Sequence, residues 1–111
     1  MRSGTHIEIE VEAADGSTVG ETFLTKDANE ALAFVRGNLR PGITVVLACL
    51  GNGIDHGNFV IEAISPNHFN LRALEHRGFA VTGVSVEHAF GALEYWLPRQ
   101  ERTPALTWQD E

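Results

Sequence analysis

Residues 7–12 read Ile-Glu-Ile-Glu-Val-Glu, and no other stretch of this chain restricts the fold so tightly. A strict period of two fits a strand and no helix. Ile7, Ile9 and Val11 leave water together on one side, while Glu8, Glu10 and Glu12 stay in it on the other. A sheet built on this strand has one dry face and one wet face. Slipping the register by one residue would bury the three carboxylates, so the pairing is strongly specified.

The rest of the chain supplies the partners for that strand. Asp15-Gly16-Ser17 has turn chemistry, and Thr18 to Leu24 is expected to return as the second strand of a hairpin. Thr25 is read as the cap of a helix whose apolar stripe is Ala28, Ala31, Leu32, Val35 and Leu39, with Asp27 and Glu30 favoured by the dipole of its early turns. Gly37-Asn38 and Pro41-Gly42 close it. Ile43 to Leu50 is nearly continuous apolar sequence between Pro-Gly and Gly-Asn-Gly, which predicts a central strand buried on both faces. Asn58 to Ser65 and Phe69 to His76 are expected strands around a Pro66-Asn67 turn. Phe79 to Val84, beyond Arg77-Gly78, either pairs in turn or leads into the next helix.

That helix is capped by Ser85 and carries Val86, Ala89, Phe90, Leu93 and Leu97 at the spacing of one stripe; Pro98 is expected to stop it, with Ala105 to Trp108 as a terminal strand. The order β-β-α-β-β-β(-β)-α-β, with strands in runs between two helices, predicts a single α+β domain over residues 1–111: a mainly antiparallel sheet with both helices packed on it.

The chain has 111 residues, 43% hydrophobic and 21% charged, enough to bury a core without metal or disulfide support. No long apolar run and no apolar signal region after Met1-Arg2-Ser3-Gly4 is present, so a cytoplasmic protein without membrane contact is expected. Cys49 is the sole cysteine and lies in the most apolar segment, where it reads as a small core side chain. Fifteen acidic residues against eight basic ones give a formal charge of −7, which opposes nucleic-acid binding; it serves solubility first and also favours encounter with a basic partner.

Motifs for chemistry are missing. His6, His56, His68, His76 and His88 are scattered, and neither His-Glu-x-x-His nor Cys-x-x-Cys spacing occurs, so no metal, no cofactor and no catalytic residue is expected. Glu87-His88 reads as a solvated helix start. Gly51 to Asn58 is rich in Gly, Asn and Asp, yet it lacks P-loop spacing and leads into a strand, which favours a hairpin turn over a phosphate cradle. Glu8, Glu10 and Glu12 repel one another along one strand face, a strain that a positive partner would relieve; the plainer reading is a solvated sheet face, since rim charges usually add little to affinity. Tyr95 is expected to point outward or along the sheet edge; an exposed Tyr95 or Trp96 beside Glu94 and Arg99 suits an interface, and core packing at the helix flank is the equal alternative for Trp96.

The ending from Val84 to Trp96, followed by Arg102-Thr103-Pro104-Ala105-Leu106-Thr107-Trp108-Gln109, resembles the C-terminal signature of bacterial polymorphic-toxin immunity proteins, in particular the family paired with nucleic-acid deaminase toxins. The likeness is a capped helix with Ala89, Ala92 and Tyr95 in an Ala-x-x-Ala-x-x-Tyr pattern, a Pro-bearing turn, and a strand closing on Trp. It departs in lacking Gly across Pro98 to Thr103 and in opening with a full hairpin. The resemblance implies a small, acidic, non-enzymatic protein, monomeric or weakly dimeric when free, that binds a cognate toxin and blocks its active site or substrate surface. Toxins acting on nucleic acid need a basic groove, which makes Glu8, Glu10, Glu12, Asp55, His56, Glu94 and Tyr95 the expected contact residues. Two other classes stand beside this expectation: a ligand-binding or regulatory module using Gly51 to Asn58, and a small enzyme, which a close pair of titratable side chains in a cleft would favour.

Overall fold

The computed structural model describes residues 5–51, 54–74 and 77–111, and the side chains of all these except Thr5, Gly51 and Ile54 to His56. Its elements run β1 (Thr5–Glu12), β2 (Phe23–Thr25), α1 (Ala28–Asn38), β3 (Thr44–Gly51), β4 (Ile54–Ser65), β5 (His68–Leu74), β6 (Gly78–Val84), α2 (Val86–Arg99) and β7 (Gln109–Asp110). All seven strands lie in one antiparallel sheet in the order β2-β1-β3-β4-β5-β6-β7. This is the α+β domain that the order of segments predicts.

The register explains the core. Ile7 stands opposite Cys49, Ile9 opposite Leu47, and Val11 opposite Val45; Leu47 then meets Phe59, and Val45 meets Ile61. Directly opposed residues share a face, so these side chains form one dry surface, and all of them are buried. Ala31 and Val35 of α1 and Ala89, Phe90, Leu93, Trp96 and Leu97 of α2 join the same cluster. Both helices therefore cover the same face. Trp96 is 1% exposed and lies 5.5 Å, centroid to centroid, from Phe59 at the middle of the sheet. A second aromatic contact, Phe23 stacked on Phe34 at 4.3 Å, ties β2 to the flank of α1.

Several local expectations are corrected. The central strand is buried on one face only: Val45, Leu47 and Cys49 are covered, while Val46, Ala48 and Leu50 on the other side are half-buried with no helix over them. The hairpin after β1 is interrupted. Thr18 bridges Glu12 and Val19 donates to the Val11 carbonyl, but Gly20, at φ +73°, lets residues 20–22 loop out before pairing resumes at Phe23. Asp27, not Thr25, caps α1. Its carboxylate accepts from the N–H groups of Asn29 (2.8 Å) and Glu30 (3.4 Å), while Thr25 is still paired with Ile7 and accepts from the Asp27 N–H at 3.0 Å.

Pro98 does not stop α2, which continues through it to Arg99. So close to the end its missing N–H costs a single bond, to the Glu94 carbonyl. Gln100 ends the helix instead, in the left-handed conformation at φ 56°, donating from its backbone to Trp96 and from its side chain to the Leu97 carbonyl. The expected strand at Ala105 to Trp108 is a turn. Ala105 donates to the Thr103 hydroxyl and the Trp108 indole to the Thr103 carbonyl at 3.0 Å, so pairing with β6 begins only at Gln109. Ser85 caps α2 as read, accepting from the His88 N–H. The expected turn at Asn52-Gly53, the end of the strand at His76 and the N-terminal Met1 to Gly4 lie outside the described residues.

Truncating Trp96 removes the largest fully buried side chain. Trp96→Ala should lower unfolding stability by about 3–5 kcal/mol in urea titration. Asp27→Ala should cost only about 1 kcal/mol, the value of one helix cap.

Candidate functional site

The face that the helices leave open is the candidate site. Along β1 it carries Glu8, Glu10 and Glu12, at a same-face repeat of about 6.8 Å. Beside that lane the register builds rows across the sheet. Glu10 stands opposite Val46, Val46 opposite Val60, Val60 opposite Arg72, and Arg72 opposite Ala80. The next row runs Leu24, Glu8, Ala48, Asn58, Leu74, and another runs Glu12, Thr44, Glu62, Asn70. The surface thus has an apolar centre at Val46, Ala48, Leu50, Val60 and Leu74, with carboxylates along one flank. Leu24, on the edge strand of the same face, is 59% exposed.

Charge on this face is lopsided. His6 lies 3.8 Å from Glu8. Arg72, on the β5 flank, is held by two hydrogen bonds to the Glu111 carboxylate at 2.7 and 2.8 Å, and Glu111 is anchored by its own N–H donating to the Gly78 carbonyl. The hydrogen bonds from Arg72, outweighing a slight desolvation and aided by charge attraction, hold the Glu111 carboxyl below its ordinary value; the same bonds raise Arg72 above its own. Arg72 is therefore already neutralised within the chain, and the carboxylates of β1 and Glu62 set the sign of the face. The Glu62 carboxylate accepts from the Asn70 amide at 3.3 Å.

The expected contact residues fall into separate places. Glu8, Glu10 and Glu12 share the open face. Glu94 and Tyr95 are on α2, beyond the layer that covers the other face, and both are engaged: Arg36 reaches Glu94 at 3.3 Å, and the Arg99 guanidinium lies 4.2 Å from the Tyr95 ring centroid. Asp55 and His56 belong to β4, Asp55 opposite Leu50 in backbone register, and their side chains are outside the described residues. Gly51 to Asn58 is thus mostly strand rather than loop. Gly57, at φ +122°, takes part in a bulge that keeps this glycine-rich segment in the ladder.

Glu62, Arg72 and Glu111 went unnoticed as site residues. The alternation of Ile61 with Ala63 and of Leu71 with Ala73 carries the signal for the first two. Glu111 meets Arg72 only because β7 pairs with β6. Among the described residues, no group of His, Cys, Asp and Glu is placed to hold a metal ion, and no helix is long and apolar enough to cross a membrane. No family model, no curated protein and no solved structure matches the chain.

Removing the cation tests the Arg72–Glu111 pair. In Arg72→Gln the Glu111 side-chain carboxyl, followed by NMR, should titrate at a higher pH than in the parent protein. Because the folded-state value is depressed, the stabilisation by this pair is complete above the ordinary carboxylate range and disappears as pH falls through the depressed value. An unmoved titration would mean that the pair is not formed in solution.

Proposed function

We propose that this chain is an immunity protein: a non-enzymatic inhibitor that binds a basic toxin in the cytoplasm, one acting on nucleic acid, and covers its active site or substrate surface with the open face of the sheet. The observation that carries this reading is the face itself, where half-buried apolar side chains lie uncovered beside Glu8, Glu10 and Glu12. A patch of this composition, apolar at the centre and charged at the rim, is how protein interfaces are built. The negative sign suits a partner whose own task is to hold phosphates, since an enzyme on nucleic acid must present Lys and Arg where substrate docks. The formal charge of −7 adds long-range attraction to such a surface. The likeness of the C-terminal helix and turn to toxin-immunity proteins points the same way.

This reading puts the contact on one side of the molecule. Glu94 and Tyr95 lie on the far side of the helix layer, so a partner of ordinary size seated on the sheet does not touch them.

The test compares two triple charge reversals of equal net charge. Tagged parent protein, Glu8→Lys/Glu10→Lys/Glu12→Lys, and Glu30→Lys/Glu87→Lys/Glu94→Lys are used as bait in lysate of the native host, at low salt and at about 0.5 M salt. The expected result is one stoichiometric basic partner that is toxic when expressed alone and rescued by coexpression of the parent. It should bind the β1 variant at least about tenfold more weakly, and the helix-side variant near the parent affinity. Equal losses in the two variants would show that only net charge matters. A captured partner without toxicity would overturn the immunity reading.

A further inference from the structure

We infer that the element seated on the open sheet face is an amphipathic helix of the partner, lying along β3 and β4 with its cations on one flank only, against Glu8, Glu10 and Glu12. This rests on the reading of that face as the inhibitory interface and specifies what occupies it.

Width is the first argument. From β1 to β5 the sheet advances three strand spacings of about 4.8 Å each, or about 14 Å. Between those limits lie Val46, Ala48, Leu50 and Val60, with Asn58 beside Ala48 and with Thr44 and Glu62 closing one end of the strip. A helix with its side chains is about 10–12 Å across and fills such a strip. A second sheet packed face to face would extend over both flanks and bury Glu10 and the Arg72–Glu111 pair between apolar layers, where desolvation of the charges outweighs the area gained. An isolated extended segment laid on the face would leave its own backbone N–H and C=O groups without partners, because the sheet's hydrogen bonds are directed along the sheet and not out of it.

Spacing is the second argument. The carboxylates from Glu8 to Glu12 span about 14 Å. Cations at i, i+4 and i+8 of a helix span about 12 Å, a difference that the flexible stem of Lys or Arg absorbs. The one-sided charge is the third. With Arg72 bound to Glu111, and Glu62 of β4 accepting from Asn70, the β5 flank shows among the described residues no second lane of carboxylates to attract another row of lysines, so the helix is basic along one edge. A second copy of this chain does not fit: a two-fold axis across the strands sets acidic lane on acidic lane, and one along the strands sets the acidic lane on the β5 flank, where Arg72 is already held by Glu111.

The probes are synthetic peptides of about four helical turns, titrated into the full chain and read by fluorescence anisotropy, circular dichroism and amide chemical shifts. One carries Lys at i, i+4 and i+8 beside a Leu/Ala stripe. A second has the same composition scrambled, and a third has Pro at its centre. The expected result is binding of the first with gain of helicity and shifts at Glu8, Glu10, Val46 and Val60, at least tenfold weaker binding of the other two, and loss of binding in Val60→Glu. The near-isosteric Val60→Thr, which keeps the strand intact, should weaken binding less.

Equal binding of all three peptides would overturn the helix and leave only charge attraction. Failure of the first peptide, while the captured basic partner still depends on Glu8, Glu10 and Glu12, would overturn the helix and keep the interface. Capture that ignores reversal of those carboxylates would overturn both.

Discussion

The structure depends on an area problem: a seven-stranded sheet has two broad faces to keep from water or to make tolerable in it, and the described residues form two helices. Both are routed to the same side. α1 joins β2 to β3 and crosses β1, while α2 joins β6 to its neighbour β7 and lies back over β4 and β5. Their stripes seal a layer in which Trp96 sits on Phe59 and the side chains of Ile7, Ile9, Leu47 and Ile61 have no exposure. Free energy of burial is concentrated there. Everything on the opposite face must be compatible with water, which is why β1, β4 and β5 place Glu8, Glu62, Asn70 and Arg72 on it.

Irregularities in the ladder belong to the same solution. Shifts of register between Ala48 and Leu50, between Ala63 and Ser65, and between Phe69 and Leu71 interrupt three successive pairings. Bulges bend and twist strands, and here they fall near the ends of β3, β4 and β5. At the last of them Gly83 takes φ +71° and donates to the Asn70 side chain, and the Asn67 side chain accepts from the Val86 N–H at the start of α2. The edges are short, three residues in β2 and two in β7. Short edge strands limit uncontrolled strand addition, and they leave the open face as the broad uncovered surface.

That face carries a local cost, to which the proposed function gives a use. Three carboxylates in one strand lane repel each other, and Arg72, across the sheet on β5, is taken by Glu111. A fold selected for stability alone would alternate the signs. Keeping the lane uniformly negative beside half-buried Val46 and Val60 makes sense when a positive surface comes to meet it. The helix-side residues Glu94 and Tyr95 answer to local partners, Arg36 and Arg99, and belong to the packing of α1, α2 and the end of α2.

Residues 7–12 and the two apolar stripes already determine the α+β class, the order of elements and the strand faces, because each depends only on periodicity within a few turns or strand steps. The Glu8, Glu10, Glu12 lane was legible for the same reason. Boundaries were less so. Thr25, Pro98 and Trp108 each have the chemistry of a terminus, but Asp27, Gln100 and Gln109 take those positions, since the pairing of Thr25 with Ile7, the burial of Gln100 and the edge-on contact of Trp108 with Phe59 depend on the folded chain. Likewise the Ile43 to Leu50 run has the composition of a doubly buried strand. Its sequence says how apolar it is and cannot say how many layers lie over it. That both helices share one face, that Val46 and Val60 remain uncovered beside the carboxylates, and that Glu111 neutralises Arg72 were decided by the strand order β2-β1-β3-β4-β5-β6-β7. Strand order is a choice among non-local pairings of similar local chemistry, and only the packing of the whole chain distinguishes them.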